Sequence, residues 1–186
     1  MSKFLEGNVS KRRLPEKEDR LTVSSVRSMI PGDFRLVELR PDQSVKFRGM
    51  THCFVVFHEK GVFVIYSCNQ DGIIHGDVLQ QQWMSYNYLG DGISFESPIM
   101  TNQKNIGVLS DLFKLPKTDF HSCILFPNLS ELRKVPADTL WQGIIHEDML
   151  EIYFSKLLPK LEPRYSYTQL NALHDIFNLV SGDIAI

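Results

Sequence analysis

Residues 61–72, GVFVIYSCNQDG, contain the feature that most constrains the fold of this chain. Val62 to Ile65 are apolar at four consecutive positions, between Gly61 and a polar turn that ends at Gly72. A continuous apolar run of this length is typical of a strand that is buried on both faces. The chain is therefore expected to form a layered domain around a central sheet.

Other segments of the chain give clear signals of secondary structure. The predicted elements, in chain order, are a helix from Glu18 to Ile30, strands at 34–39, 53–57 and 62–67, a short edge strand that begins at 73–74, a helix opened by Ser97-Pro98 and ended before Pro116, a strand at 122–126, an amphipathic helix at 147–158 and a final helix capped by Thr168. The strands at 53–57 and 62–67 are separated by a short turn, which predicts a hairpin. This order of elements predicts an α/β domain with a mixed sheet.

Composition limits the classes of function. The chain has 186 residues, of which 43% are hydrophobic and 23% charged, as in an ordinary globular domain. A net charge of -2 gives no global electrostatic case for binding nucleic acid, although a local basic patch remains open. Three widely spaced cysteines suit a reducing compartment better than a disulfide framework. Because the sequence shows no signal peptide, no long apolar span and no glycine-rich phosphate loop, we expect a cytoplasmic protein that binds neither membrane nor nucleotide.

A series of short segments forms a pattern along the chain: the acidic pair Glu18-Asp19, the corner at 31–34, the strand at 61–65, the turn at 69–72, Ile74, Gly76, Trp83, Ser97-Pro98 and the strand at 124–127. In these segments, taken in order, the chain resembles the nuclease-related domain (NERD) family of PD-(D/E)XK nucleases. The resemblance implies an α/β fold: a restriction-endonuclease-like αβββαβ core with a mixed central sheet, followed by C-terminal helices. We accordingly predict a flexible basic arm at 1–17, a NERD-like core at 18–130, and a C-terminal helical extension at 131–186 that packs on the core.

The resemblance also implies where catalysis would take place. Active members carry an Asp on the second strand and Glu-x-Lys at the end of the third; the carboxylates hold a divalent metal, and the lysine steadies the attacking water. In this chain those positions fall on Cys53, Tyr66 and Cys68, and the helix glutamine of the family falls on Thr101. A phenol and a thiol are neutral at ordinary pH and are poor ligands for Mg²⁺. The sequence therefore predicts a pseudo-nuclease with no catalytic residues, no metal site and no cofactor.

An active enzyme would need carboxylates displaced from these positions. The candidates are Glu18, Asp19, Asp71 and Asp77, which would hold Mg²⁺ or Mn²⁺. Asp71 also fits a plain role as a turn residue before Gly72. A metal-dependent DNA endonuclease is thus the first alternative to the main prediction.

Binding is the function that the degenerate pattern favours. Candidate contacts to nucleic acid are Arg12 and Arg13 in the arm, and Asn102, Gln103 and Lys104 on the helix after Pro98. The same residues also fit a solvated arm and a solvated helix face. Tyr66 fits either a base-stacking residue or an amphipathic residue at a strand end. We predict a catalytically degenerate NERD-like domain that binds DNA or docks a protein partner within a larger complex; the second alternative is a purely structural adaptor whose C-terminal helices form the contact face.

Overall fold

The computed structural model describes residues 21–40, 45–139 and 141–181. Its helices and strands, in chain order, are α1 (Val23–Met29), β1 (Phe34–Leu39), β2 (Cys53–His58), β3 (Gly61–Ser67), β4 (Ile73–His75), β5 (Gln82–Tyr86), β6 (Gly92–Glu96), α2 (Pro98–Phe113), β7 (Phe120–Phe126), β8 (Glu131–Lys134), β9 (Gln142–His146), α3 (Leu150–Leu157) and α4 (Tyr167–Ser181). This mixed α/β architecture with helices at its C-terminal end confirms the predicted fold class and is consistent with a restriction-endonuclease-like fold.

The main sheet has five strands in the order β1-β2-β3-β7-β9. β1, β2 and β3 pair antiparallel, and the predicted hairpin is confirmed, with His58 opposite Gly61 at the turn. β7 and β9 then add in parallel to β3. Because β1 and β3 run in the same direction and β2 in the opposite one, the last residues of β1, the first residues of β2 and the last residues of β3 lie together at one end of the strands.

The central strand β3 is buried on both faces, as its apolar run predicts. Val62 and Val64 belong to an apolar cluster that also contains residues of α2 and α4. Phe63 and Ile65 point the other way, into a cluster completed by α1 and α3. Alternation along the strand therefore sends neighbouring side chains into two separate cores, which explains why all four positions must be apolar.

The structure also has a second sheet of four strands, in the order β6-β5-β4-β8, which differs from the sequence-based expectation at β4 and at the β5–β6 pair. β4 was predicted as an edge strand, but it lies between β5 and β8. The hairpin of β5 and β6 was not predicted at all. Both strands of the β4–β5 pair are held by burial, since Ile74 and Trp83 are inaccessible to solvent and the Trp83 ring stacks on Phe126 with centroids 6.4 Å apart.

Two helices begin at residues other than those predicted, because of their capping interactions. The first helix begins at Val23 rather than Glu18, because the Thr22 hydroxyl accepts from Ser25 N and the Ser25 hydroxyl accepts from Thr22 N. Glu18 itself lies outside the described residues. The last helix begins before Thr168: Ser166 N donates to the Gln169 side chain at 2.8 Å, and Gln169 N donates to the Ser166 hydroxyl at 3.4 Å.

The helix α2 confirms its predicted start and end. Met100 N donates to the hydroxyl of the predicted cap, Ser97, and Pro98 is the first residue of the helix. Lys114 closes the helix with φ of 55°, in the left-handed conformation that often ends helices. The first turn of α2 lies near the end of β3, and the helix then crosses the main sheet.

The last third of the chain is less helical than predicted. β8 and β9 lie beyond residue 130, and β9 completes the main sheet by pairing with β7. The helix predicted at 147–158 divides into a 3₁₀ turn, α3 and a second 3₁₀ turn that contains Pro159. The predicted arm at 1–17 lies outside the described residues, and none of the helices that the structure describes is long and apolar enough to cross a membrane.

Candidate functional site

A cleft of about 880 Å³ opens where β3 ends. Its lining comes from six parts of the chain: the start of α1, the end of β1, the start of β2, the end of β3 with the loop after it, the end of β6 and the first turn of α2. The lining residues are Leu21, Thr22, Val23, Glu38, Arg40, Thr51, His52, Phe54, Tyr66, Ser67, Cys68, Asn69, Gln70, Phe95, Glu96 and Thr101. The cleft therefore lies at the place where the family resemblance implies a catalytic centre.

Tyr66 and Cys68 occupy the base of this cleft and are both neutral at pH 7. The Tyr66 ring packs at the border of an apolar cluster that includes Ile99 and Trp83, and burial raises its pKa to about 12. Cys68 is 3% exposed, and burial raises the pKa of its thiol to about 12. Its backbone N–H donates to Leu125 O at 2.8 Å, so β3 stays attached to β7 beyond the end of the strand. At these positions the cleft offers an uncharged ring and a protonated thiol.

Glu38 is one of the two carboxylates that line the cleft among the described residues, and its oxygens contact Arg40 and His52. Arg40 Nη2 donates to one of its oxygens at 3.0 Å, and His52 Nε2 lies 2.8 Å from the other. Burial alone would raise the pKa of Glu38, but the hydrogen bonds from Arg40 and His52 outweigh it and lower the pKa. Glu38 is thus a charged group whose lone pairs are already partly used.

Glu96 is the second carboxylate in the cleft, and it forms an ion pair with Lys104 of α2. Both side chains are about half exposed, at 50% for Glu96 and 57% for Lys104. Thr101, at the predicted glutamine position, lines the cleft but is only 5% exposed. The polar rim of the cleft therefore pairs each carboxylate with a cation before any ligand enters.

Cys53 does not line the cleft. It begins β2, is fully buried, and packs in the cluster of α2 and α4. Burial raises the pKa of its thiol to about 12. His52 and Phe54, on either side of it, line the cleft instead, so the residue assigned to the family's first aspartate faces away from the opening. Cys53, Cys68 and Cys123 are all free and buried.

Asn102 requires a correction to the predicted nucleic-acid contacts. It is fully buried, and its amide nitrogen donates to Val64 O at 2.9 Å and to the Ser122 hydroxyl at 2.8 Å. Asn102 therefore fastens α2 to β3 and β7, and it has no exposed surface with which to touch DNA. Gln103 and Lys104 are exposed, as a contact role requires, whereas Arg12 and Arg13 lie outside the described residues.

Of the four acidic residues predicted for a displaced metal site, the structure describes Asp71 and Asp77, and neither of these two lines the cleft. Asp71 and Asp77 lie in turns of the second sheet and are not among the lining residues. The Asp71 carbonyl accepts from the Ser85 hydroxyl, and the Asp77 carbonyl accepts from Trp83 Nε1 at 3.1 Å. Glu18 and Asp19 lie outside the described residues. Within residues 21–40, 45–139 and 141–181, no group of three or more His, Cys, Asp or Glu side chains is placed to hold a metal ion.

The sequence analysis did not single out Glu38 or Arg40. A usable signal was present for Glu38, because it interrupts the apolar strand FRLVEL beside buried leucines. His52 precedes β2 directly, and Glu96 ends β6. Their convergence depends on strand order and on the unpredicted β5–β6 hairpin, which local pattern alone does not give.

Comparison with known families bears on the same segment of the chain. Residues 53–127 match the family model of the nuclease-related domain. This match confirms the resemblance inferred from the sequence, over the segment that runs from β2 to the end of β7. It contains Tyr66, Cys68 and Thr101, but it ends before β9 and the helices α3 and α4. Comparisons with curated proteins and with solved structures found no match.

Proposed function

We propose that this chain is a non-catalytic nuclease-related domain that works as a docking module for a protein partner, with DNA as the alternative ligand. The observation that carries the proposal is the chemistry at the end of β3. Tyr66 and Cys68 stand where the family resemblance implies a carboxylate and a lysine, and burial raises the pKa of each to about 12. Neither residue supplies an anionic oxygen at pH 7 for Mg²⁺.

The cleft carboxylates do not replace the missing ones. Glu38 is tied to Arg40 and His52, and Glu96 is tied to Lys104. A divalent ion would have to break these pairs and would still lack a third ligand from the protein, because the described residues contain no such cluster. A phosphoryl-transfer centre built on displaced carboxylates is therefore the less favoured function.

The charge balance of the cleft favours a protein partner over DNA. Among the described residues, two carboxylates of the cleft face one guanidinium, one imidazole and one ammonium, so these groups create no strong positive field for a phosphate backbone. Its half-buried ring at Tyr66 and its amides at Asn69 and Gln70 suit a mixed polar and apolar surface. A volume of about 880 Å³ is large enough to receive several side chains of a partner.

A nuclease assay tests the catalytic half of this proposal. Purified protein is incubated with supercoiled plasmid in Mg²⁺ and, separately, in Mn²⁺, with Asp71→Ala and Asp77→Ala variants prepared in parallel. We expect no nicking by any of the three proteins. Nicking by the wild type that disappears in either variant would refute the non-catalytic reading and establish the displaced metal site.

Salt-dependent DNA binding separates the two kinds of partner. Fluorescence anisotropy of labelled duplex is measured from low to physiological salt, with wild type and with Lys104→Gln. Binding that weakens steeply with salt, and weakens further in Lys104→Gln, would assign DNA as the partner, because each phosphate contact releases counterions. We expect no saturable binding even at low salt, which leaves protein docking as the function.

A further inference from the structure

A second opening lies beside the edge strand β9 of the main sheet, between the loop before β9 and helix α3. Its volume is about 400 Å³, within the range of small-molecule sites. The lining residues are Asp138, Thr139, Ile145, Met149, Ile152, Tyr153, Lys156, Leu157 and Lys160. None of them lines the cleft described above, so the two openings are separate.

Apolar and cationic groups are sorted along this opening. Met149 and Ile152 are large apolar side chains that remain 39% and 43% exposed, and Ile145 and Leu157 lie deeper. Lys156 and Lys160 are exposed and four residues apart, which places their stems on the same side of α3 and the turn that follows it. Within the described part of the chain, neither ammonium takes part in an ion pair.

The strand beside the opening is closed to an added strand. Three outward backbone groups in the first half of β9 already have partners: Ile144 N donates to Asp138 Oδ1 at 2.8 Å, Gln142 N donates to Thr139 Oγ1 at 3.1 Å, and Gln142 O accepts from Thr139 N at 2.8 Å. A peptide cannot bind here by extending the sheet, because no free backbone ladder is offered at these positions. This excludes the commonest way in which a strand edge recruits a peptide and favours a compact ligand.

We propose that this opening binds an amphipathic anion, with an unbranched apolar chain against Met149 and Ile152 and a carboxylate at Lys156 and Lys160. Asp138, on the strand side, sets the orientation, since its negative charge repels the head group toward the lysines. The apolar chain supplies most of the affinity through burial, and the lysines select the sign of the charge. This site is independent of the binding function proposed for the cleft.

Dodecanoate below its micelle-forming concentration is the probe, and dodecyltrimethylammonium is the control of equal chain length and opposite charge. Titrations are followed by isothermal calorimetry and by amide chemical shifts of ¹⁵N-labelled protein. We expect saturable 1:1 binding of dodecanoate, with the largest shifts at residues 138–160, and at least fivefold weaker binding of the ammonium. Absent binding, equal affinity for both probes, or shifts centred elsewhere would overturn the proposal.

Variants assign the binding to the named residues. Lys156→Gln with Lys160→Gln should weaken dodecanoate binding by roughly three- to tenfold at low salt, as expected for losing exposed charge pairs. Lys117→Gln changes an exposed lysine outside this opening and should leave the affinity unchanged. Met149→Ser should weaken both probes alike, because it removes apolar contact only. If the lysine variants bind as tightly as the wild type while their amide spectra remain those of the folded protein, the assignment is wrong.

Discussion

Replacement of Asn102 distinguishes a residue that binds nucleic acid from one that holds the fold together. Asn102 is fully buried on α2 and donates two hydrogen bonds, to Val64 O and to the Ser122 hydroxyl. In Asn102→Ala both bonds are lost, at a net cost of about 0.5–1.5 kcal/mol each, and the missing atoms leave a small cavity that adds about 1 kcal/mol. The free energy of unfolding should therefore fall by about 2–4 kcal/mol, which for a chain of this size lowers Tm by roughly 4–16 °C.

Urea unfolding followed by circular dichroism measures this loss, with Gln103→Ala as the matched control. Gln103 is exposed on the same helix, so its replacement should change the free energy of unfolding by less than about 0.5 kcal/mol. Asn102→Asp adds a test of how the loss of stability depends on pH. A buried carboxylate beside the Val64 carbonyl has its pKa raised in the folded state, so its penalty is largest at neutral pH and shrinks as pH falls toward roughly 4. If Asn102→Ala were as stable as Gln103→Ala, the bridging role would be refuted.

Three further predictions concern charge, thiols and close packing. The pKa of Glu38 is lowered from its ordinary value of 4.5, so the stabilisation it provides should be present above that pH and should be lost as pH falls through the lowered pKa of the folded protein. The difference in free energy of unfolding between the wild type and Glu38→Gln should be under about 1 kcal/mol at pH 7 and should shrink on acidification. The three buried cysteines, two of them with a pKa raised to about 12, should not react with Ellman's reagent at pH 8 in the native protein and should all react in urea; a fast native reaction would contradict their burial. A Cβ at Gly76 would lie 2.0 Å from the Trp83 ring, so Gly76→Ala should lower the free energy of unfolding by about 1–3 kcal/mol. As a control, Gly90→Ala places its Cβ in open space and should cost only the strain of its positive φ. Equal stability of Gly76→Ala and the wild type would show that the ring can move.

Sequence patterns predicted the elements that carry their own signals. The run Val62–Ile65 predicts a strand buried on both faces, and Ser97-Pro98 predicts the start of α2. Both signals are local: one is the absence of any polar position along a strand, and the other is a capping side chain followed by a ring with fixed φ. The structure confirms them because no distant contact competes with them.

The elements that were missed depend on distant partners. β8 is four residues long with one half-buried side chain, which is too short for an alternating pattern. β6 alternates Ile93 and Phe95 with polar residues, but it is five residues long and mostly exposed, so its pattern is a weak signal in isolation. They form because β4 and β5 offer unpaired edges to them. The same reason explains why the pairing of Glu96 with Lys104 was not foreseen, since Glu96 reaches the cleft only through the β5–β6 hairpin.

Alternation along a strand also explains why the assignment of Cys53 does not carry a functional position into the cleft. A shift of one residue along β2 exchanges the two faces of the sheet. His52 and Phe54 line the cleft, whereas Cys53 packs beneath α2 and α4. The family model matches residues 53–127, but a match over a segment does not determine which of two adjacent side chains faces the opening.

The chemistry at the end of β3 has a consequence for stability as well as for catalysis. Carboxylates and a lysine at a metal site must be kept hydrated or neutralised, and like charges repel one another whenever the ion leaves. Tyr66 and Cys68 instead extend the apolar cluster of Ile99, Trp83 and Phe126 to the end of the strand. The end of β3 is thus part of the core that joins the main sheet to the second sheet. A metal-binding centre at these two positions would place charged side chains in this core and would weaken the attachment of the second sheet.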